Sequence, residues 1–285
     1  MAQAPATGSW DYLQRMPRYV IYLLLAGVVL WQLLAPIRFP IVPSSTTRDV
    51  YKAIRAAPEN KLIIISVDWD ASTQAETGPQ TAAVIRACFE SGKRFALMNW
   101  TAPMGAKLAN DIARPIAEQY HAEYGRDWCN WGFKSGGANV LMAMVKNIPE
   151  TMGNDVRGKR VTSLPMMKGV RDIKDIGLVV EVTGLAGVTE TWIGLVQGPY
   201  QTPLTAAYTA VMAPGYYAYT DSGQLKGMLV GVKGAAEMEV LERKPGLGSA
   251  IMSAQSWGHI LILALIILGN TGYLLARGRA RRERA

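Results

Sequence analysis

Histidine and cysteine are scarce in this chain of 285 residues, which has only two of each. A zinc centre needs three or four such ligands close together, and His259 stands at the edge of a long apolar run, so the sequence excludes such a centre. The other histidine, His121, falls on a predicted helix surface, and no G-x-S-x-G motif is present, which argues against cysteine and serine hydrolases. We therefore expect neither a metal nor a cofactor.

The two cysteines leave a disulfide open. An exported domain would permit a bond between Cys88 and Cys129, but their sequence positions do not show that they meet. Cys88 lies in the apolar helical run AAVIRACF, where a free thiol behaves as a small core residue. A buried thiol is therefore the favoured interpretation for Cys88.

Signatures of nucleotide binding are also missing. Neither G-x-x-x-x-G-K-[ST] nor a G-x-G-x-x-G after a strand occurs. The run FKSGGANVLMAM puts Lys134, Gly136 and Gly137 just before a predicted helix, where free backbone amides and a lysine can hold an anion. The favoured interpretation is simpler, with Ser135 as the N-cap and the glycines forming a tight turn.

The positive charge of the chain is concentrated at its end. Thirty lysines and arginines face 22 acidic residues, which gives a formal charge of +8. Half of this excess lies in the tail RGRARRER, whose five arginines and one glutamate suit contact with anionic lipid. No nucleic-acid recognition motif accompanies the charge, so we expect no nucleic-acid partner.

Two long apolar runs bracket the chain. Residues 19–37 are free of charge over about the length that crosses a bilayer as a helix, and residues 257–276 form a second run. A poor cleavage context around Ala35 favours a retained anchor over a signal peptide. Two transmembrane helices are therefore predicted, at 19–37 and 257–276, around a central domain at 38–250, with the lipid bilayer as a partner.

Basic residues at the two outer ends predict the orientation. Arg15 and Arg18 precede the first run, and five arginines follow the second, Arg277, Arg279, Arg281, Arg282 and Arg284. Under the positive-inside rule, residues 1–18 and the basic tail 277–285 are cytoplasmic. We expect a protein of the cell (inner) membrane whose central domain is periplasmic or extracellular.

Apolar runs of strand length alternate with helical patterns in the central domain. The predicted strands are 62–67, 94–100, 178–183 and 204–212. The predicted helices are 47–56, 79–91, 105–124, 137–147, 189–197 and 222–242. This alternation is typical of an α/β fold, a three-layer domain with a mostly parallel sheet.

Ligands of such sheets bind beyond the carboxyl ends of the strands, where four predicted loops meet. Aromatic side chains in these loops offer contact area to a ligand or partner, although they equally suit the lid of a core. The residues predicted to bind a ligand or partner are Asp68, Trp69, Asp70, Trp100, Thr101, Lys134, Gly136, Gly137, Tyr216 and Tyr217.

The string IIISVDWDAST resembles the first motif of haloacid-dehalogenase-type phosphatases. The resemblance implies that Asp68 attacks phosphorus and Asp70 acts as general acid and base. Thr101 then stands in the second motif and Lys134 is the candidate lysine, but only Glu181 follows later and no acidic pair for magnesium is present. Two other interpretations remain: the aspartates cap the following segment and bond loop amides, which is favoured, or they contact a ligand without catalysis.

Small residues point to association. The predicted helix 222–242 carries Gly227, Gly231, Gly234, Ala235 and Ala236, which let a partner subunit or the sheet itself approach closely. In the second apolar run, Gly272 and Ala276 have small-xxx-small spacing, and Asn270 is a polar group in hydrocarbon. A homo-oligomer or a complex with other membrane proteins is therefore expected.

The Asp-x-Asp after the first strand, DWCNWGFKSGG and GVKGAAEMEVL together resemble a group of two-anchor prokaryotic membrane proteins with an α/β domain. The resemblance implies the architecture and no activity. The predicted function is a membrane-anchored binding or assembly protein, a scaffold or accessory subunit, without catalysis. The alternative is a metal-dependent phosphatase-like hydrolase that uses Asp68 and Asp70.

Overall fold

The computed structural model describes residues 17–35, 37 and 39–282 of the chain. These residues divide into two compact units. One unit is the α/β unit, Pro40–Ser249, and the other is the apolar unit, which combines the chain up to Phe39 with Ala250–Ala285. Of the two ends predicted to be cytoplasmic, residues 1–16 and 283–285 lie outside the described residues, and these include Arg15 and Arg284.

Six parallel strands form the sheet of the α/β unit, in the order β3-β2-β1-β4-β5-β6. The strands are β1 (Leu62–Asp68), β2 (Phe95–Asn99), β3 (Trp128–Phe133), β4 (Ile176–Thr183), β5 (Leu204–Tyr208) and β6 (Met228–Val230). The prediction of an α/β domain is confirmed.

Helices account for most of the remaining chain. They are α1 (Arg18–Leu34), α2 (Ser45–Ala56), α3 (Gln74–Glu90), α4 (Pro103–Gln119), α5 (Ala138–Met144), α6 (Ile148–Met152), α7 (Val188–Trp192), α8 (Gly198–Tyr200), α9 (Tyr217–Asp221), α10 (Gly231–Leu241) and α11 (Leu247–Arg282). A π-helical turn, Ile193–Gln197, joins α7 to α8. Four short 3₁₀ turns complete the unit, Val161–Ser163, Pro165–Met167, Ile173–Asp175 and Ala213–Gly215.

Side chains of β1 alternate between two apolar cores, one on each face of the sheet. Leu62 and Ile64 pack with α5, α6 and α7 on one face. Ile63 and Ile65 pack with α2, α3, α4 and α10 on the other. Every residue of β1 is buried, because a central parallel strand is covered on both faces, and this explains its uninterrupted apolar sequence.

The predicted elements differ from the structure in three places. Strand β3 is absent from the predicted strands, because Asn130 and Gly132 interrupt the apolar run WCNWGF. The predicted helix 222–242 is wrong in its first half, where the chain forms β6, and the helix begins only at Gly231. The predicted strand 204–212 ends at Tyr208, and the chain then turns.

Small residues of this segment pack inside the α/β unit. A Cβ on Gly227 would lie 2.8 Å from the backbone nitrogen of Val50 in α2, so the two backbones are in direct contact. Ala235 and Ala236 of α10 lie against Gly248 at the start of α11. These small residues thus pack against α2 and α11 within the domain.

Both cysteines are free and buried. Cys88 belongs to the core on one face of the sheet and Cys129 to the core on the other, so they do not pair. Burial raises the pKa of both thiols, because a thiolate is poorly solvated there. The predicted buried thiol at Cys88 is confirmed.

The first turn of α4 touches the end of β1 at Gly105. A Cβ at this position would lie 2.7 Å from the carbonyl oxygen of Trp69 and 2.6 Å from Nδ2 of Asn99. We expect Gly105→Ala to lower the free energy of unfolding by about 1–3 kcal/mol, because a backbone carbonyl cannot move aside. Chemical denaturation of the full-length protein measures this. Gly194→Ala is the control, since no atom lies within 4 Å of its Cβ position, and an equal loss in both variants would contradict the packing argument.

The apolar unit contains α1 and the greater part of α11. Leu247–Leu275 is long and apolar enough to cross a membrane by length and composition. Helix α1 is apolar but has 17 residues and ends at Leu34, short of the predicted 19–37. Within the unit the rings of Trp31 and Trp257 lie 6.2 Å apart, and Nε1 of Trp257 donates to the carbonyl oxygen of Ile37.

Candidate functional site

The order in which the chain places its strands reverses at the centre of the sheet. Strands β1, β2 and β3 extend one way, whereas β4, β5 and β6 extend the other, so the carboxyl ends of β1 and β4 flank a switch point. This strand order is the one found in doubly wound sheets that bind dinucleotides, and ligands of open α/β sheets bind at such a point. Asp68 ends β1 and Thr183 ends β4, and the two are paired in register.

Asp68 is fully buried and accepts hydrogen bonds through both carboxylate oxygens. Oδ1 accepts from the backbone amides of Trp100 and Thr101, each at 3.0 Å, and from the Thr101 hydroxyl at 2.6 Å. Oδ2 accepts a short bond from the Ser66 hydroxyl. Asp68 therefore fastens the loop after β2 to the end of β1, so it bonds amides of a distant loop and does not cap the segment that follows it.

Burial raises the pKa of Asp68, and the four hydrogen bonds oppose this rise. The opposition arises because each donor stabilises the charged carboxylate. No basic group of the described chain contributes to the shift. The negative charge of Asp68 is therefore stabilised by neutral hydrogen-bond donors.

Asp70 lies only two residues on, yet in a different environment. Its Oδ1 accepts from the amide and the hydroxyl of Ser72, at 2.8 and 2.5 Å, at the protein surface. These bonds lower the pKa of Asp70. Asp68 and Asp70 are therefore one enclosed and one exposed carboxyl, each with its own loop partners.

Glu181 is the residue that sequence reasoning undervalued. It pairs in register with Ser66, on the same sheet face as Asp68, and is fully buried. No described residue donates to either of its oxygens with hydrogen-bond geometry. Burial raises its pKa well above the ordinary value; the nearby Thr189 hydroxyl opposes this, and the negative charge of Asp68 adds to it. The signal in the sequence was one acid inside the apolar strand IGLVVEVT.

Tyrosines and a second glutamate surround Glu181 on the β5 side. The Thr189 hydroxyl and the Tyr208 hydroxyl are hydrogen-bonded at 2.8 Å. Tyr208 stacks on Tyr216 with ring centroids 4.2 Å apart, and the Tyr216 hydroxyl donates to the Glu190 carboxylate at 3.2 Å. Burial, followed by the charge of Glu190, raises the pKa of Tyr216 to about 12.

The predicted aromatic residues divide between core and surface. Trp69 is fully buried in the core opposite to Asp68, and Trp100 is buried in the core on its side. Their indole rings therefore close the two cores, which was the alternative left open for them. Tyr216 is buried as well, whereas Tyr217 is 46% exposed.

Lys134 follows β3 at the carboxyl edge of the sheet, and its backbone amide donates to the carbonyl oxygen of Asn99 at 2.9 Å. Its ammonium group donates to the carbonyl oxygen of Asn154 at 2.8 Å, and Asp68 is not among its partners. Burial lowers the pKa of Lys134, and the charge of Asp155 opposes this. The prediction of Ser135 as N-cap is wrong, because Gly137 holds that position without a side-chain bond and both Gly136 and Gly137 have positive φ.

No protein-family model matches this chain, and no curated protein matches it significantly. Function must therefore be argued from the site itself. Nucleophilic attack by Asp68 would require an open oxygen, yet both of its oxygens are engaged and the side chain is enclosed. In the described part of the chain, no three histidine, cysteine or acidic side chains are grouped as metal ligands.

Proposed function

We propose that this protein is a membrane-anchored binding or assembly protein with no catalytic activity of its own. Two apolar helices hold the α/β unit at the membrane, and loops at the carboxyl edge of the sheet bind a partner. The observation that carries this proposal is a set of exposed apolar side chains in those loops. The partner is a second copy of this chain or the extracytoplasmic part of another membrane protein.

Composition and exposure support the membrane anchor. In α11, the segment Leu247–Leu275 has the length and hydropathy of a transmembrane helix. Large side chains of both helices are exposed, among them Leu23, Leu30, Ile267 and Leu274, as expected for a surface that faces lipid. The arginines at both ends of the sequence favour cytoplasmic termini, an inner-membrane location and a central domain outside the cytoplasm.

The carboxyl-edge surface consists of Met104, Val211 and Tyr217. Met104 follows β2, and the other two follow β5, so strand spacing separates them by about 15 Å. Their exposures are 54%, 86% and 46%. Exposed apolar side chains gathered at one edge of a domain favour a protein partner, because contact removes them from water.

The alternative, a phosphatase-like hydrolase, has less support. Its nucleophile would be enclosed by Ser66 and Thr101, and its lysine would be bonded to Asn154. Phosphoryl transfer needs positive charge around the transferred group. The contacts of Asp68 suit a residue that organises a loop.

A matched pair of valine substitutions tests the proposal. We expect Val211→Glu to weaken co-purification of the partner by tenfold or more, because a charge would be buried in the interface. Val156→Glu is the control, since Val156 is also exposed but lies beside β3. The measurement is quantitative mass spectrometry of proteins retained after gentle detergent solubilisation. Equal retention by wild type and Val211→Glu would contradict a carboxyl-edge interface.

A further inference from the structure

The positive charge of the chain outside its basic tail is concentrated in one segment, residues 153–174. This segment, GNDVRGKRVTSLPMMKGVRDIK, has six basic and two acidic residues. Apart from it and the tail RGRARRER, the chain has 19 basic and 19 acidic residues. A segment that carries such an excess raises the local concentration of anions, so it marks where an anionic partner would bind.

A tight turn at residues 154–160, the basic turn, presents three of these basic residues together. Arg157, Lys159 and Arg160 are all exposed. The turn is closed by an antiparallel bridge between Asn154 and Arg160. Among the residues that the structure describes, none of the three basic side chains forms an ion pair. Their charges are therefore available to a ligand.

The buried carboxylate of Asp155 fixes the shape of the basic turn. Its Oδ1 accepts from the amides of Arg157 and Lys159 at 2.9 and 2.8 Å, and the Tyr124 hydroxyl donates to its Oδ2 at 3.1 Å. The guanidinium carbon of Arg157 lies 3.5 Å from the centre of the Tyr124 ring. A guanidinium placed over a ring keeps N–H donors for an oxyanion. The basic turn is thus ordered before a ligand arrives, which reduces the entropic cost of binding.

The basic turn lies at one edge of the sheet, far from the ends of the α/β unit. The amide of Val156 donates to the carbonyl oxygen of Asn130 in the edge strand β3. Near the two ends of the unit, Ser44 and Gly248 bond to α10, which follows β6 at the opposite edge. Five strand spacings separate the two edges by about 24 Å, or about three Debye lengths at physiological salt. This separation favours a ligand other than the lipid beside those ends.

The composition of the basic turn favours phosphate groups over a protein surface. The cores of protein interfaces are depleted in charged residues, and lysine is depleted across interfaces. In residues 157–160, however, three of the four side chains are charged, and one of them is Lys159. Arginine binds phosphate through paired N–H donors and lysine binds it as a point charge. Three cations within four residues therefore match closely repeated phosphates.

We propose that the basic turn binds a polyanion with repeated phosphate groups through Arg157, Lys159 and Arg160. Lys134 adds a fourth positive charge beside the turn, because its ammonium group donates to the carbonyl oxygen of Asn154. The attraction is electrostatic and releases counterions, so binding weakens as the salt concentration rises. This inference goes beyond the proposed function, does not use the carboxyl-edge surface and does not depend on it.

Calorimetric titration with short-chain polyphosphate tests the proposal on the full-length protein in phosphatidylcholine nanodiscs. Combining Arg157→Gln, Lys159→Gln and Arg160→Gln should weaken binding at least tenfold. The slope of log affinity against log salt should fall by about two, since three phosphate contacts are lost.

The matched control combines Arg48→Gln, Arg114→Gln and Lys226→Gln, which removes the same charge from exposed residues elsewhere in the α/β unit. This control should weaken binding less than about threefold. No binding by wild type, or equal weakening in the two triple variants, would overturn the proposal.

Two further measurements identify the class of anion. Polyglutamate of the same total charge should bind at least tenfold more weakly than polyphosphate. Equal binding would mean that the basic turn recognises carboxylates, as on an acidic protein, and would refute the phosphate assignment. In phosphatidylglycerol nanodiscs, wild type should bind polyphosphate within about threefold of its affinity in phosphatidylcholine, at about 0.15 M salt. Loss of binding there would show that lipid headgroups occupy the basic turn and would contradict a separate ligand.

Discussion

Asp68→Ala is expected to lower the free energy of unfolding by about 3–5 kcal/mol. The substitution leaves the amides of Trp100 and Thr101 and the hydroxyl groups of Ser66 and Thr101 without their acceptor. Each buried donor that loses its partner costs about 1–3 kcal/mol, and release of the desolvated carboxylate offsets part of the sum. Urea denaturation of the full-length protein in detergent measures the change.

Asp70→Ala is the matched control for this prediction. The Asp70 side chain bonds to Ser72 alone among the described residues, at the surface, so its removal should cost about 0.5–1.5 kcal/mol, well below the loss in Asp68→Ala. Removal of a catalytic carboxylate commonly leaves stability unchanged or raises it, because active sites trade stability for activity. An Asp68→Ala protein as stable as wild type would therefore contradict the structural role and revive the hydrolase alternative.

Arg86→Met is expected to cost about 3–5 kcal/mol, because it leaves buried acids without their cation. Arg86 on α3 bonds Oε1 of Glu239 at 3.3 Å and Oε2 of Glu242 at 3.0 Å. Glu239 in turn accepts from the amides of Gly246, Gly248 and Ser249. Arg86 thus holds in place the Glu239 carboxylate, which accepts from the free amides at the first turn of α11. Lys107→Met is the control, since Lys107 pairs with Asp111 at the surface and such pairs contribute little.

The cost of Arg86→Met should depend on pH. Burial raises the pKa of Glu242 to about 8, and Arg86 opposes that rise. The pKa of Glu242 is about 8 in the folded protein and 4.5 in the unfolded chain. A group of this kind makes its full contribution to stability below pH 4.5, where it is protonated in both states, and this contribution is lost as the pH rises towards 8. Without Arg86 the folded pKa rises further, so the loss of stability should be larger at about pH 9 than at about pH 5. A deficit independent of pH would show that Arg86 acts through packing alone.

The sequence was sufficient to predict the centre of the sheet. Strands β1 and β4 are buried along their whole length, so their apolar runs were long enough to recognise, and Asp68 at the end of β1 marked the edge where ligands bind. The short edge strand β6 could not be recognised, because its three residues lie in a run of small and apolar residues that also suits a helix. Strand β3 could not be recognised, because Asn130 and Gly132 interrupt its apolar run.

The details of the site depend on contacts between distant parts of the chain. Asp68 meets Thr101 across 33 residues, and Arg86 meets Glu239 and Glu242 across more than 150, so no local pattern reveals these bonds. Glu181 could have been singled out as an acid in a buried strand, but its lack of donors follows only from the packing around it. Spacing alone also suggested that Asp68 and Asp70 act together, whereas burial separates them.

The native mass of the wild-type particle after gentle detergent solubilisation tests the central claim, that this chain is a membrane-anchored assembly protein. Native mass spectrometry of the membrane fraction gives both the mass and the identity of bound chains. The account predicts extraction from membranes and a particle heavier than one chain, either a homo-oligomer or a defined complex with another membrane protein. A lone monomer, or a protein released from membranes without detergent, would contradict it.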